Sequence, residues 1–92
     1  MTYKIEFSDE ALEQFAALRK DDRNAYVKCF DLILSVAENP REGIGKPERL
    51  KGFGEREIYS RRVSDKDRLV YAIFDDVTKV IIISCVGHYG DK

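Results

Sequence analysis

Residues 57–86 read EIYSRRVSDKDRLVYAIFDDVTKVIIISCV, and this stretch decides the fold. Three runs within it, Glu57–Val63, Arg68–Phe74 and Lys79–Val86, are rich in β-branched and aromatic residues. The connections between them, Ser64-Asp65-Lys66-Asp67 and Asp75-Asp76-Val77-Thr78, are short and polar, so the pattern predicts three strands in an antiparallel meander. The last run is apolar on both faces from Val80 to Val86, which predicts a central strand beneath covering helices.

Upstream, Tyr3, Ile5 and Phe7 alternate with Lys4 and Glu6, the period of a half-buried strand. Ser8 then offers a helix N-cap followed by the acids Asp9 and Glu10, and Leu12, Phe15, Ala16 and Leu18 recur at helical spacing as far as Arg19-Lys20. Asp21-Asp22 can cap a second helix, predicted to run to about Glu38 and to be stopped by Asn39-Pro40. Its apolar arc is wide: Tyr26, Cys29, Phe30, Ile33 and Ala37 make one stripe, and Ala25, Leu32 and Val36 another. One sheet face does not need so much apolar surface, so part of the arc is expected to meet a partner. Residues 39–47 hold two glycines and two prolines, the one loop of note; a short extended piece (Glu48–Lys51) and a Gly52-Phe53-Gly54 break lead into the meander. The expected architecture is a single α+β domain over residues 1–92, in the order β-α-α-β-β-β, with two helices on one face of an antiparallel sheet.

The 92-residue chain is 43% hydrophobic and 36% charged, a globular balance, and no apolar run approaches the roughly 20 residues of a membrane span. With no export-type start in residues 1–6, the cytoplasm is the expected compartment. A chain this short hides only about 60–65% of its unfolded surface, so its core is thin and life in a complex is expected. The net charge of −1 hides a segregation: residues 1–40 carry −3, residues 41–71 carry +3 and residues 72–92 carry −1. A basic middle segment therefore sits inside a neutral total, which argues for a directed rather than a general affinity for nucleic acid. Cys29 and Cys85 lie in apolar stretches without metal-ligand or CxxC spacing and read as core residues.

Arg62 and Arg68 flank a four-residue connection, so they should meet at one end of a hairpin, with Arg61 beside them on the alternate face. Guanidinium groups gathered at a sheet end suit phosphate oxygens; the plainer reading is that Glu55, Glu57 or Asp67 neutralises them. The last strand ends in Gly87-His88-Tyr89-Gly90, which holds the only histidine of the chain beside a tyrosine that can stack on a base. Glu48 stands among Lys46, Arg49 and Lys51. A carboxylate, arginines, a histidine and a tyrosine suffice for metal-independent RNA cleavage by the neighbouring 2′-hydroxyl: a base removes the 2′-proton, guanidinium charge stabilises the phosphorane-like transition state, and an acid protonates the departing 5′-oxygen.

The ordered motifs Gly45-Lys46-Pro47-Glu48-Arg49-Leu50-Lys51, Tyr59-Ser60-Arg61-Arg62-Val63, Arg68-Leu69-Val70-Tyr71-Ala72 and Cys85 with His88-Tyr89 resemble the Txe/YoeB toxins of bacterial toxin–antitoxin modules, within the RelE superfamily, over essentially the whole chain. The resemblance implies a RelE-like fold and a ribosome-dependent mRNA endoribonuclease that cuts in the ribosomal A site and needs no cofactor. It also implies partners: a cognate antitoxin that silences it, the ribosome and mRNA, operator DNA reached only through the antitoxin complex, and a homodimer or toxin–antitoxin hetero-oligomer. Carried over by position, Glu48 resembles the general base, Arg68 the transition-state stabiliser and His88 the general acid. Tyr89 resembles the tyrosine that holds the scissile nucleotides, Arg62 a phosphate-contacting arginine and Lys51 a basic neighbour; Arg61, beside Arg62, is counted with the phosphate-binding group. Asp67 stands where the family has a histidine, Tyr59 where it often has tryptophan, and Gly90-Asp91-Lys92 extend past the usual His-Tyr end. The alternative is a gyrase-poison-like toxin of the same fold, which binds a protein and cuts no RNA.

Overall fold

A computed structural model describes residues 2–87. Strand β1 (Lys4–Phe7) leads into helix α1 (Asp9–Asp21), and α2 (Arg23–Glu38) follows at once. The first turn is fixed by Ser8, whose Oγ accepts from the Ala11 N–H at 3.0 Å, with Asp9 and Glu10 at the positive end of the helix dipole and Arg19 and Lys20 at the other end. Asp22 separates the helices by serving both: its N–H donates to the Leu18 carbonyl and its carboxylate accepts from the Ala25 N–H at 3.1 Å. The remaining elements are β2 (Glu48–Arg49), β3 (Ile58–Arg62), β4 (Arg68–Phe74), a 3-10 turn (Asp75–Val77) and β5 (Lys79–Ser84).

These strands form one five-stranded sheet in the order β1-β5-β4-β3-β2. The α+β, two-layer arrangement and the meander β3-β4-β5 agree with the sequence reading, but the sheet is mixed rather than antiparallel, and it has one strand more. β1 runs parallel to β5, with Lys4 opposite Lys79 and Phe7 opposite Ile82. The cause is the route of the chain. The helical pair carries it away from β1 to the far edge, and β2, β3 and β4 then return it step by step until β5 fills the place beside β1. The additional strand is the extended piece at Glu48, which pairs antiparallel with β3.

The main core lies between helices and sheet: Leu18, Cys29, Leu32, Ile33 and Val36 meet Leu69, Tyr71, Ile73, Val80, Ile82 and Cys85. Phe7, Phe15 and Tyr26 stack in a row along its side, with ring centroids 5.7 and 4.7 Å apart. Both cysteines are buried and unbridged, as expected. The other sheet face carries only a small apolar group of Ile58, Val70 and Ala72 with Leu50 and Ile83, and so stays open for other uses. Helix α2 uses Ala25, Cys29, Leu32, Ile33 and Val36 for the core, whereas Phe30, expected within the apolar arc, faces away and is 48% exposed.

Candidate active site

Directly opposed residues of neighbouring strands share a sheet face. Glu48 is opposite Ser60, Ser60 opposite Val70, and Val70 opposite Ser84. Arg62 lies two positions beyond Ser60 and is paired with Arg68. Register alone therefore brings Glu48, Arg62 and Arg68, which are spread over three strands, to the face away from the helices. The arginine pair meets at the hairpin end as expected. The hairpin turn is held by the Val63 and Ser64 N–H groups, which donate to the Asp67 carbonyl at 3.0 and 3.1 Å.

Neither carboxylate offered as a neutraliser from the preceding loop reaches these arginines. Arg62 pairs with Asp65 at 2.8 Å, but Asp65 is 98% exposed, so water and salt weaken the pair. No carboxylate among the described residues pairs with Arg68. Two opposed guanidinium groups thus leave a positive patch that an anion with several oxygens would satisfy. Glu48 is exposed at the sheet edge, delivered there by a tight turn in which Gly45 and Lys46 take φ values of 84° and 54°. The Arg62 N–H donates to the Gly45 carbonyl at 2.7 Å and ties that turn to β3. Lys51 is exposed just beyond β2.

Arg61 corrects the sequence reading. It is fully buried and cannot touch a substrate phosphate. Its Nε donates to the Tyr71 hydroxyl at 3.0 Å, Nη1 to Ser35 Oγ at 2.7 Å and to the Ile44 carbonyl at 3.1 Å, and Nη2 to the carbonyls of Asn39 and Glu42 at 2.7 and 2.9 Å. All five donors of the guanidinium are used, and four of the acceptors are neutral groups of α2 and the loop that follows it. The Tyr71 hydroxyl in turn donates to the Pro40 carbonyl at 2.6 Å. Burial pushes the Tyr71 phenol up, partly offset by the Arg61 charge. Adjacent arginines in the sequence thus do opposite jobs: Arg62 faces solvent, and Arg61 organises the loop that leads to Glu48. The alternation of a strand with one buried face carries this difference in the sequence, and charge alone does not.

A second arginine grips the same loop from outside. Arg41 makes a two-pronged bond to Glu57 at 2.6 and 2.7 Å and reaches Asp75 at 2.7 Å, and the Tyr3 hydroxyl donates to Asp75. Glu57 is thereby committed to Arg41, whose hydrogen bonds hold its carboxyl below the usual range.

Asp67, offered as a surface neutraliser, is 3% exposed and accepts from the Gly87 N–H at 2.8 Å. The Gly87 carbonyl accepts from the Arg68 N–H at 3.0 Å, so the end of the last strand is strapped to the residues of the arginine hairpin. His88 and Tyr89 follow directly and lie outside the described residues. Two hydroxyls went unnoticed in the sequence: Ser60 and Ser84, on the same face as Glu48, are buried and find no hydrogen-bond partner among the described residues. A hollow of about 700 Å³ occupies the other half of this face, floored by Ile58, Ala72, Ile81 and Ile83 and rimmed by Glu55, Arg56, Glu57, Asp75 and Asp76. Four carboxylates against one arginine on this rim, two of them held by Arg41, distinguish it from the arginine end.

Residues 7–89 match the family described as the YoeB-like toxin of bacterial type II toxin–antitoxin systems. The chain is 36% identical to Toxin YoeB of Escherichia coli K12 over 90 residues, covering 94% of this chain and 99% of that protein. It is 37% identical to Toxin RelK of Mycobacterium tuberculosis over 85 residues, covering 92% and 96%. Among solved structures, the YoeB dimer from Staphylococcus aureus superposes with a TM-score of 0.83 at 37% identity, covering 97% of this chain and 100% of that one. The YoeB–YefM complex from the same organism gives 0.78 at 36% identity, covering 97% and 100%. The archaeal RelE–RelB complex from Pyrococcus horikoshii gives 0.73 at 19% identity over 99% and 100%, a likeness of fold.

Proposed function

Because this chain belongs to the YoeB-like toxins of bacterial type II toxin–antitoxin systems, we propose that it is a ribosome-dependent endoribonuclease that cuts mRNA in the ribosomal A site. The observation that carries the reading is the convergence of Glu48, Arg62 and Arg68 on one open sheet face, with the strand end at Gly87 fastened to Arg68. In this reading Glu48 takes the proton of the 2′-hydroxyl, and that oxygen attacks the adjacent phosphorus. Arg68 and Arg62 stabilise the extra negative charge of the phosphorane-like transition state, Arg62 through a phosphate oxygen that displaces its weak bond to Asp65. His88 protonates the departing 5′-oxygen, Tyr89 stacks on a scissile nucleotide, and Lys51 adds positive charge beside the site. The chemistry ends with a 2′,3′-cyclic phosphate and a free 5′-hydroxyl. Arg61 has no contact with RNA here.

A net charge of −1 gives the chain little general hold on RNA, so alignment of the 2′-oxygen, the phosphorus and the leaving oxygen falls to the ribosome. Its compartment is accordingly the cytoplasm. Its further partners are a cognate antitoxin, as in the S. aureus YoeB–YefM complex, and a second copy, as in the S. aureus YoeB dimer. Operator DNA is reached only through the antitoxin complex.

The test is purified protein added to ribosomes carrying a defined mRNA. Cleavage should map to the A-site codon and fall by at least about a hundredfold in Glu48→Ala, Arg68→Ala and His88→Ala, the scale expected when an acid, a base or a charge stabiliser is removed. Circular dichroism should stay unchanged. Persisting cleavage in the triple variant overturns the assignment. An early DNA-damage response on induction, with translation intact, would replace the nuclease with a gyrase-directed toxin.

A further inference from the structure

Asp67 belongs to the turn of the arginine hairpin by its backbone and to the end of the last strand by its side chain. Its carbonyl accepts from the Val63 and Ser64 N–H groups at 3.0 and 3.1 Å, and its own N–H donates to Ser64 Oγ at 3.2 Å. The carboxylate is buried: one oxygen accepts from the Gly87 N–H at 2.8 Å, and the other lies 3.7 Å from the exposed Lys66 ammonium. Taking a carboxylate this far out of water is costly, and neutralising a surface arginine needs no such burial.

The place it reaches is where the sheet gives out. Strand β5 ends at Ser84, and beyond it the N–H groups of Cys85 and Gly87 are taken by side chains, Gln14 and Asp67. Gly87 is gripped twice by consecutive residues, its N–H by the Asp67 carboxylate and its carbonyl by the Arg68 N–H at 3.0 Å. These bonds lie on either side of an α-carbon whose φ of 92° favours glycine, and they fix both peptide planes that meet there. The second plane joins Gly87 to His88. The dipeptide that carries Arg68 therefore also sets the point at which the chain leaves the sheet towards His88.

We propose that Asp67 is a positioning residue, whose buried carboxylate fixes the exit of the chain at Gly87 so that His88 is presented at a set distance from Arg68. The proposal rests on the nuclease reading, in which Arg68 stabilises the transition state and His88 protonates the leaving oxygen. Charge stabiliser and acid must meet one phosphate at once, and a misplacement of about 1 Å can cost roughly a hundredfold in rate. In this role Asp67 touches no RNA and acts only through its neighbours. The position departs from the family pattern, so no inherited role attaches to it.

Two measurements on the full chain test this. By NMR, the Gly87 amide should exchange at least about tenfold faster in Asp67→Ala, while Val63, bonded to the Asp67 backbone, should not change. Asp67→Asn keeps an oxygen for the Gly87 N–H and should stay within about threefold of the parent. In ribosome cleavage, Asp67→Ala should lower kcat about 10- to 100-fold with KM within about threefold, and Asp67→Asn should restore kcat to within about threefold. In a His88→Ala background, Asp67→Ala should cost less than about a further threefold, because it acts through a residue already lost. Asp67→Leu, similar in shape but without an acceptor, should behave as Asp67→Ala does and replaces it if that variant unfolds. Unchanged exchange at Gly87, a loss carried by KM, full additivity with His88→Ala, or an Asp67→Asn no better than Asp67→Ala would each refute the role. A parent that leaves mRNA intact, its Gly87 amide still protected by Asp67, would refute the nuclease reading and the catalytic role that rests on it.

Discussion

Replacing Arg61 by lysine keeps a positive charge at the position and asks what the guanidinium shape contributes. Five acceptors converge on the side chain, and a lysine ammonium has three donors on a point-like head. At least two acceptors of the interior lose their partner. A buried polar group left unpaired costs about 1–3 kcal/mol, so Arg61→Lys should cost roughly 2–5 kcal/mol. A domain of this length is stable by roughly 5–14 kcal/mol in all, and the loss is therefore a large share of the total. Urea unfolding followed by circular dichroism should show a lower midpoint with the slope preserved, and melting should fall by at least about 8 °C, at roughly 4–8 °C per kcal/mol. Tyr71→Phe removes the hydroxyl that accepts from Arg61 and donates to Pro40, and in a double-mutant cycle with Arg61→Lys it should show a coupling of about 0.5–3 kcal/mol. A lysine variant within about 0.5 kcal/mol of the parent, or a cycle with no coupling, would refute the view that this side chain holds residues 39–44 in place.

Gly45 takes φ 84°, and a β-carbon there would run into Leu32 Cδ2 and press on Arg61, so Gly45→Ala should destabilise by about 2–4 kcal/mol in the same unfolding assay, whereas Gly54→Ala, with φ 64° but open space around it, should cost only about 1–2 kcal/mol. The hydrogen bonds from Arg41 lower the Glu57 carboxyl from its ordinary 4.5, so their stabilisation is complete above that value and is lost as pH falls through the lowered one. Arg41→Met should therefore flatten the acid side of a stability–pH curve below about pH 4.5 and lower the plateau above it. The neighbouring Cys85 thiol and burial push the Cys29 thiol up, and both sulfurs lie in the core, so a disulfide reagent should titrate neither thiol within minutes of mixing with native protein and two per chain in denaturant; prompt reaction of one would place it at the surface.

How much of this could be read from residues alone differs from element to element. The helix boundaries at Asp9, Asp22 and Glu38 and the hairpin that opposes Arg62 to Arg68 were legible because caps, proline and strand alternation are local signals. The parallel partnership of β1 with β5 was not, because it depends on the route between elements some seventy residues apart, which no local period records. Within the candidate site, Glu48 and Arg68 stand out in the sequence by type and neighbourhood, and the register adds that they share one sheet face. Arg61 could not be placed by charge, since a guanidinium is tolerated inside when backbone carbonyls converge on it, and carbonyls are invisible in a sequence. Asp67 was misread for the same reason, its partner being the backbone N–H of Gly87.

The position of β5 has a consequence for how the protein comes into being. It is made after every other described strand, yet it takes an interior place in the sheet, between β1 and β4. Until it emerges, β1 has no neighbour to pair with, the helices have only part of a floor, and nothing fastens Arg68 from the Gly87 side. A chain being synthesised from its N-terminus therefore holds its arginine hairpin without a finished scaffold until β5 has been made and docked.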